Sequence, residues 1–599
     1  MAKNNLNDMK KYKLLTNCFI LCGMTLLSVV PLTLAAQPTQ SDYNELPNPR
    51  KTDISQWQKS SKTTIGWGSI DIRYKKEAPA EVASSKKILV NAWKGERVSA
   101  QFVVSTKVPL ENLSYAISNF KNAKTGTSIS PERMSTGFVR YVMTDELNKD
   151  GKGGCGYRYD HSKFDSTLVA DVIDPLTKTL AIPAYTTQSA WIRVWVPANA
   201  EEGYYDATIA IKNGTRTLST LKMTVKVGHR VLPQPKDWSF HLDLWQNPFA
   251  IARYYGLKLW SKEHFDTMKP YMEMYRDAGG KVITTSIIHK PWNGQTYDYY
   301  DSMIGWTRLL DGSWSFDYTV FDKWVSFMMN LGINKEIGCY SMVPWKLSFS
   351  YYDQATHEIK EMKTKPGEAA YEEMWMAFLR SFATHLKEKG WFDITYIAMD
   401  ERPAEIMKTT LSLIRRADKN FKVSMAGGLH KELFYELDDY CVSLTDTFPE
   451  EVKQKRRQEG KTTTYYTSCS EPFPNTFTFS PPAESEWLGW HAAKENLNGY
   501  LRWSLCHWNK SPLQDSRFTA WAAGDTYIIY PGPRPSIRWE RFIDGIQAFE
   551  KIKVLRKTAT PAQLQQIDKA LSLFNELDLY KKPASFFVNQ AREILQGIE

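Results

Sequence analysis

Two adjacent carboxylates, Asp400 and Glu401, follow the apolar run Tyr396-Ile397-Ala398-Met399 without a spacer. An apolar run of this length reads as a buried strand, and a buried strand that ends on two acids raises the question of their use. One explanation is capping: "ERPAEIMKTTLSLI" starts a helix near Pro403, and Asp400 could be its N-cap. The other is acid–base chemistry. A like charge beside a carboxyl raises its pKa and suits it to proton donation, the need of a glycosidic leaving oxygen. Neighbouring residues do not flank a glycosidic bond as an acid and a protein nucleophile about 5 Å apart do. They suit a division of labour in which a 2-acetamido group on the sugar attacks the anomeric carbon. One acid then holds the amide N–H while the other protonates the leaving group.

The acids need a scaffold that gathers strand ends. After residue 238 the sequence alternates strand and helix. Apolar runs occur at 238–245, 281–288, 335–343, 393–399, 422–427, 441–446, 463–469 and 499–505. Between them lie helical patterns such as Met374, Phe378, Leu379, Phe382 and Leu386, closed by Gly390. Eight such units predict a (β/α)8 barrel spanning 236–556, whose functional groups sit at the C-terminal ends of its strands. A doubly wound open sheet is the alternative, but no glycine-rich nucleotide loop follows the first strand. Strand-end position then nominates ligands: His241, Asp243 and Trp245 come with the first strand, His289 and Trp292 with the second, and Trp345 with the third. Asp446 comes with the sixth, Tyr465 and Tyr466 with the seventh, and Trp503, His507 and Trp508 with the eighth. From these, Tyr466, Trp503, Asp446, His289, Trp345 and Trp508 are the expected substrate-binding residues. Flat aromatic rings with a few polar groups on one rim are what a sugar site requires.

Residues 66–230 read differently. Short alternating segments at 97–105, 188–197 and 203–227, with the turn signal "KNGT", predict an N-terminal β-sandwich. "VLPQPKDW" (231–238) reads as a linker, 37–65 as a polar tether, and 557–599 as a helical tail packed on the barrel. The whole is an α/β chain: β-sandwich, TIM-like (β/α)8 barrel, short helical C-terminal tail.

The first 36 residues have the layout of a signal peptide. Lys10, Lys11 and Lys13 precede an apolar stretch ending in Ala35-Ala36, which predicts export to the periplasm, the cell surface or the medium. An uncleaved membrane anchor or a lipid on Cys18 or Cys22 is the alternative, though neither cysteine sits in a good lipobox. With the four lysines and one aspartate of this segment removed, the formal charge of +10 becomes +7. The excess is scattered, so no nucleic-acid partner and no membrane insertion of the mature chain is expected. The remaining cysteines show neither zinc-ligand spacing nor a disulfide framework, and no metal or cofactor is indicated.

The residues "GYLRWSLCHWNKSPLQDSRFTAWAAGDTYIIYPGPRPSIRWERFIDGIQAFEKI" (499–552), with "MDE" at 399–401, resemble glycoside hydrolase family 123, the exo-acting β-N-acetylgalactosaminidases. "KGERVSAQFVV" and "VPANAEEGYYDATIAI" are similar to the sandwich that precedes such barrels. The resemblance implies that Asp400 positions and polarises the 2-acetamido group and that Glu401 is the general acid/base. It also implies retention of β configuration and terminal β-N-acetylgalactosamine of glycosphingolipid-type glycans as substrate. Spacing does not separate this epimer from N-acetylglucosamine, and a non-catalytic surface glycan-binding protein is the reading from another class.

Overall fold

The computed structural model describes residues 43–145, 166–519 and 521–598. The expected signal segment, with Cys18 and Cys22, lies outside the described residues, as do Cys155 and the start of the expected tether.

Two sheets form the N-terminal half. One runs in the order Thr63–Gly68, Arg97–Thr106, Thr186–Trp195, Met134–Thr144, Thr167–Asp174. The other is built on Lys87–Lys94, Arg216–Val231, Gly203–Asn213, Leu110–Ile117 and Leu180–Ile182. Alternation decides which face is buried: Tyr205, Ala207, Ile209 and Ile211 meet Leu221, Met223, Val225 and Val227 in one core. The hairpin between them turns at Gly214, whose φ of 59° is the left-handed conformation that glycine adopts without strain.

The stretch expected as a tether is packed from Tyr43 onward. Tyr43 and Trp57 are buried, and Glu45 accepts a 2.7 Å bond from Arg140 Nε on the sandwich. Its polarity had suggested freedom, but the acid is matched by a buried cation. The expected linker is packed too, with Trp238 buried and its Nε1 donating to Pro233 O at 2.7 Å.

Eight parallel strands follow: β1 His241–Leu244, β2 Val282–Ser286, β3 Glu336–Tyr340, β4 Thr395–Asp400, β5 Lys422–Ala426, β6 Asp439–Ser443, β7 Thr462–Tyr466 and β8 Gly499–Arg502. From β2 to β8 each strand pairs with the next, β8 pairs back to β1, and between β1 and the foot of β2 the ring is closed by a single bridge from Leu242 to Gly280. The helix Ala369–Lys389 precedes β4. It buries Met374, Phe378, Leu379, Phe382 and Leu386, worth roughly 1.5–3 kcal/mol each, and ends at Gly390 with φ 70°. Loops after β2 and β3 carry an added four-stranded sheet. The helices Pro482–Lys494 and Ile537–Arg556 cross at Gly489 and Gly545, where a Cβ on Gly489 would lie 2.1 Å from Gly545 O. Helices Pro561–Leu571 and Ala584–Gln596 pack on the first of these, Phe574 stacking on Trp490 at 5.0 Å. Among the described residues no helix is long and apolar enough to cross a membrane.

Sandwich and barrel share the unit Gln40–Glu599 and are joined by buried charge. Asp171 pairs with Arg538 at 2.9 Å and with Arg73 at 2.8 Å, and Asp174 pairs with Arg534 at 2.7 Å. Arg541 pairs with Asp71 at 2.8 Å and with Glu486. The "SIRWERF" motif is thus a seam between the two halves.

Candidate active site

Asp400 is the last residue of β4, and the ladder continues one step past it, Glu401 N donating to Ala426 O at 2.7 Å. The backbone of Glu401 lies against Gly427: a Cβ there would sit 2.9 Å from Glu401 Cα and 3.1 Å from its nitrogen. Glycine at 427 is therefore what lets the strand end close up. The following helix, Ala404–Ala417, takes Pro403 as its N-cap with no side-chain cap. Capping does not explain Asp400.

The two acids occupy opposite environments. Asp400 is buried: its Oδ2 accepts the indole N–H of Trp345 at 2.7 Å, and its Oδ1 lies 3.3 Å from Arg402 Nη2 without an aligned hydrogen bond. Burial drives its carboxyl up to about 6; Arg402 and the Trp345 hydrogen bond oppose the rise, and the charge of Glu401 adds a smaller push. Like-charge repulsion, expected to be the cause, is the minor contribution, and the acid held high is Asp400. Glu401 is exposed and accepts the Tyr466 hydroxyl on Oε1 at 3.0 Å. Arg402 is locked by bonds to Val343 O and Glu401 O at 2.7 and 3.0 Å, and stacks 4.4 Å over the Trp345 ring.

A cavity of about 470 Å³ opens over the pair. Its aromatic lining comes from five strand ends and loops: Trp245, Trp292, Trp345, Tyr466, Trp503 and Trp521. Trp245 and Trp292 pack with ring centroids 4.8 Å apart, and both lie against Tyr340. Trp503 meets Trp521 edge-on at 5.7 Å. On the same wall Asp525 Oδ1 is fixed by Arg502 Nη2 at 2.6 Å and Trp503 Nε1 at 3.2 Å, while its Oδ2 is buried without a partner. Cys469, also in the lining, is disulfide-bonded, whereas Cys339, Cys441 and Cys506 are free and buried.

Of the eight expected catalytic and substrate-binding residues, Asp400, Glu401, Tyr466, Trp503 and Trp345 converge on this cavity, as do Trp245 and Trp292 from the wider set of strand-end residues. Three of the eight do not. Trp508 is fully buried, donates to Ile529 O at 2.8 Å and packs edge-on against Tyr254, Tyr255 and Tyr271, because the chain after β8 turns inward. His289 holds Asp301 at 2.9 Å and does not line the cavity, although Trp292 and Gln295 of the same loop do. Asp446 accepts Leu429 N at 3.3 Å and lines a separate hollow beside Phe448 and His491. Gln295, Trp521 and Asp525 were not nominated. Asp525 stands in the "GD" of the C-terminal motif, which was the available signal.

The family model for the glycoside hydrolase 123 catalytic domain matches residues 245–555. The chain belongs to glycoside hydrolase family 123. The model for the family's N-terminal domain matches 67–213. A family 123 glycoside hydrolase from Clostridium perfringens, solved in a study of glycolipid glycan hydrolysis, is similar to this chain. The two are 28% identical with a TM-score of 0.80, over 90% of this chain and 97% of that one. A Bacteroides ovatus xyloglucanase of glycoside hydrolase family 5 aligns at 10% identity over 78% of this chain and 99% of its own, with a TM-score of only 0.27. A comparison with curated proteins finds no match. As a family 123 member the protein is a glycoside hydrolase, and its substrate is a glycan.

Proposed function

We propose that this family 123 enzyme is an exo-acting, retaining β-N-acetylgalactosaminidase in which the substrate's own acetamido group is the nucleophile. The observation that carries the reading is the pairing of an exposed Glu401 with a buried Asp400 whose Oδ1 lacks an aligned donor. The amide N–H of a 2-acetamido sugar is such a donor. With that bond made, the carbonyl oxygen swings beneath the anomeric carbon, and the carboxylate offsets the charge of the oxazolinium-like intermediate. Glu401 gives its proton to the leaving oxygen and then takes one from the water that opens the intermediate. Two displacements leave the β configuration unchanged. Tyr466, donating to Glu401 Oε1, orients the acid. Trp345 and Trp503 offer faces for the pyranose ring, and Asp525 Oδ2 is an acceptor for a sugar hydroxyl.

Glycolipid glycans are the proposed substrate class, in keeping with the subject of the Clostridium perfringens structure. Export is proposed from the basic-then-apolar N-terminus, and the disulfide at Cys469 suits an oxidising compartment.

The test is a panel of 4-nitrophenyl glycosides, with the anomer of the released sugar followed by NMR. The N-acetyl-β-galactosaminide is expected to be the best substrate, the glucosaminide much poorer, and the plain β-galactoside inert. Turnover of the plain galactoside would sink substrate assistance and turn attention to Asp525 as a protein nucleophile. A preference for the glucosaminide would overturn the epimer assignment alone.

A further inference from the structure

At the opposite end of the barrel from Asp400, the first residues of three strands meet: His241 of β1, Glu336 of β3 and Asp439 of β6. One ligand atom from each lies within 4.8 Å of the others. His241 Nε2 is 3.2 Å from Asp439 Oδ2 and 4.0 Å from Glu336 Oε2, and with neither does it make an aligned hydrogen bond. Donors about 2.0–2.2 Å from one divalent ion stand roughly 3–4 Å from one another, and the two distances from His241 Nε2 fall in that range.

Two further observations point into the same space. Asp439 Oδ1 is buried without a partner. Asp243, two residues along β1 from His241, faces the same side of the strand, and its Oδ1 is also buried without a partner. Its other oxygen takes the Trp245 indole N–H at 3.3 Å. Both acids are more than nine-tenths buried, as is Glu336. The nearby guanidinium of Arg456 is committed elsewhere, to Thr463 Oγ1, Phe434 O, Leu437 O and Thr462 O. Three acids and an imidazole thus share one buried space, and among the described residues no lysine or arginine forms an ion pair with any of the three acids.

We propose that His241, Glu336 and Asp439, with Asp243 beside them, form a structural site for one first-row divalent cation at the foot of the barrel. The donor set is one imidazole nitrogen with carboxylate oxygens and no thiolate, which suits Zn2+ or Mn2+. The ion clamps strands that are far apart in sequence, 95 residues from His241 to Glu336 and 103 from Glu336 to Asp439. No spacing motif could show it. The cation cross-links the N-terminal rim, the end of the barrel that serves stability.

The test uses the full chain, stripped with a chelator and then given Zn2+ alone or Mn2+ alone, with bound metal counted by mass spectrometry and calorimetry. About one equivalent per chain is expected, with the thermal midpoint falling on stripping and recovering on addition. His241→Ala should weaken binding more than tenfold. Glu336→Gln, which keeps the shape and removes a charge, carries the same test if His241→Ala does not fold. Absence of stoichiometric binding by either ion would overturn the proposal, as would binding that both variants retain at full strength.

Discussion

Trp345 and Asp400 come from the ends of neighbouring strands and meet at 2.7 Å, indole N–H to carboxylate Oδ2. The contact fixes one oxygen of the acid, while the other has no hydrogen-bond partner and is the one assigned to the substrate in the proposed mechanism. It also favours the ionised carboxylate against the burial that disfavours it. On the proposed mechanism, in which ionised Asp400 holds the charge of the intermediate, the acidic limb of kcat/KM is expected near pH 6. Trp345→Phe removes the donor and should move that limb to higher pH. A limb that stays in place would show that another group sets it.

Glu401 is tested by leaving-group dependence. Glu401→Gln should lower turnover of natural glycans by about 10²–10⁴-fold, and far less for 4-nitrophenyl or better leaving groups that depart without a proton. Equal losses on both would make the residue structural.

Asp400 has a stability consequence of definite sign. Its carboxyl titrates near 6 in the folded protein against 3.8 in its unperturbed state. The stability this shift contributes is present in full below pH 4 and is lost as pH rises through 6. Asp400→Asn should therefore be more stable than the parent at pH 7, by about 1–3 kcal/mol, with the gap closing below pH 4. Chemical denaturation at the two pH values measures it; a gap independent of pH would refute the assignment.

Gly427→Ala places a methyl against the Glu401 backbone. The expected result is a fall in kcat of about 10²-fold, as a small misplacement of the acid produces, with substrate binding less affected. Unchanged kcat would mean that the strand end tolerates the displacement.

Arg538→Leu strips Asp171 of its barrel cation and leaves it Arg73 and the hydroxyl of Tyr530. A loss of about 3 kcal/mol is expected, and pairing the change with Asp171→Leu should return part of it. Strictly additive losses would show that the two residues do not act as a pair.

The barrel strands were legible because each is a short apolar run bounded by helical periodicity, and the acid pair because it breaks such a run. Packing of the loops was not. Trp508 and Trp503 both follow β8 and differ in sequence only by a few places, yet one is core and the other lines the cavity. Which way a loop turns depends on contacts with distant residues, here Tyr254, Tyr255 and Tyr271 for Trp508. Asp446 failed for the same reason. Asp525 was visible only as part of a motif, and the foot-of-barrel cluster was invisible because its members share no local pattern.

The seam between the halves reaches the substrate cavity. Met143 N donates to Gln514 O, and Ser516 Oγ donates to Met143 O, so the segment that continues to Trp521 and Asp525 is anchored on a sandwich strand. One wall of the cavity is thus held by the half of the molecule that contributes no reacting group. Excising the barrel as a minimal enzyme would release that wall.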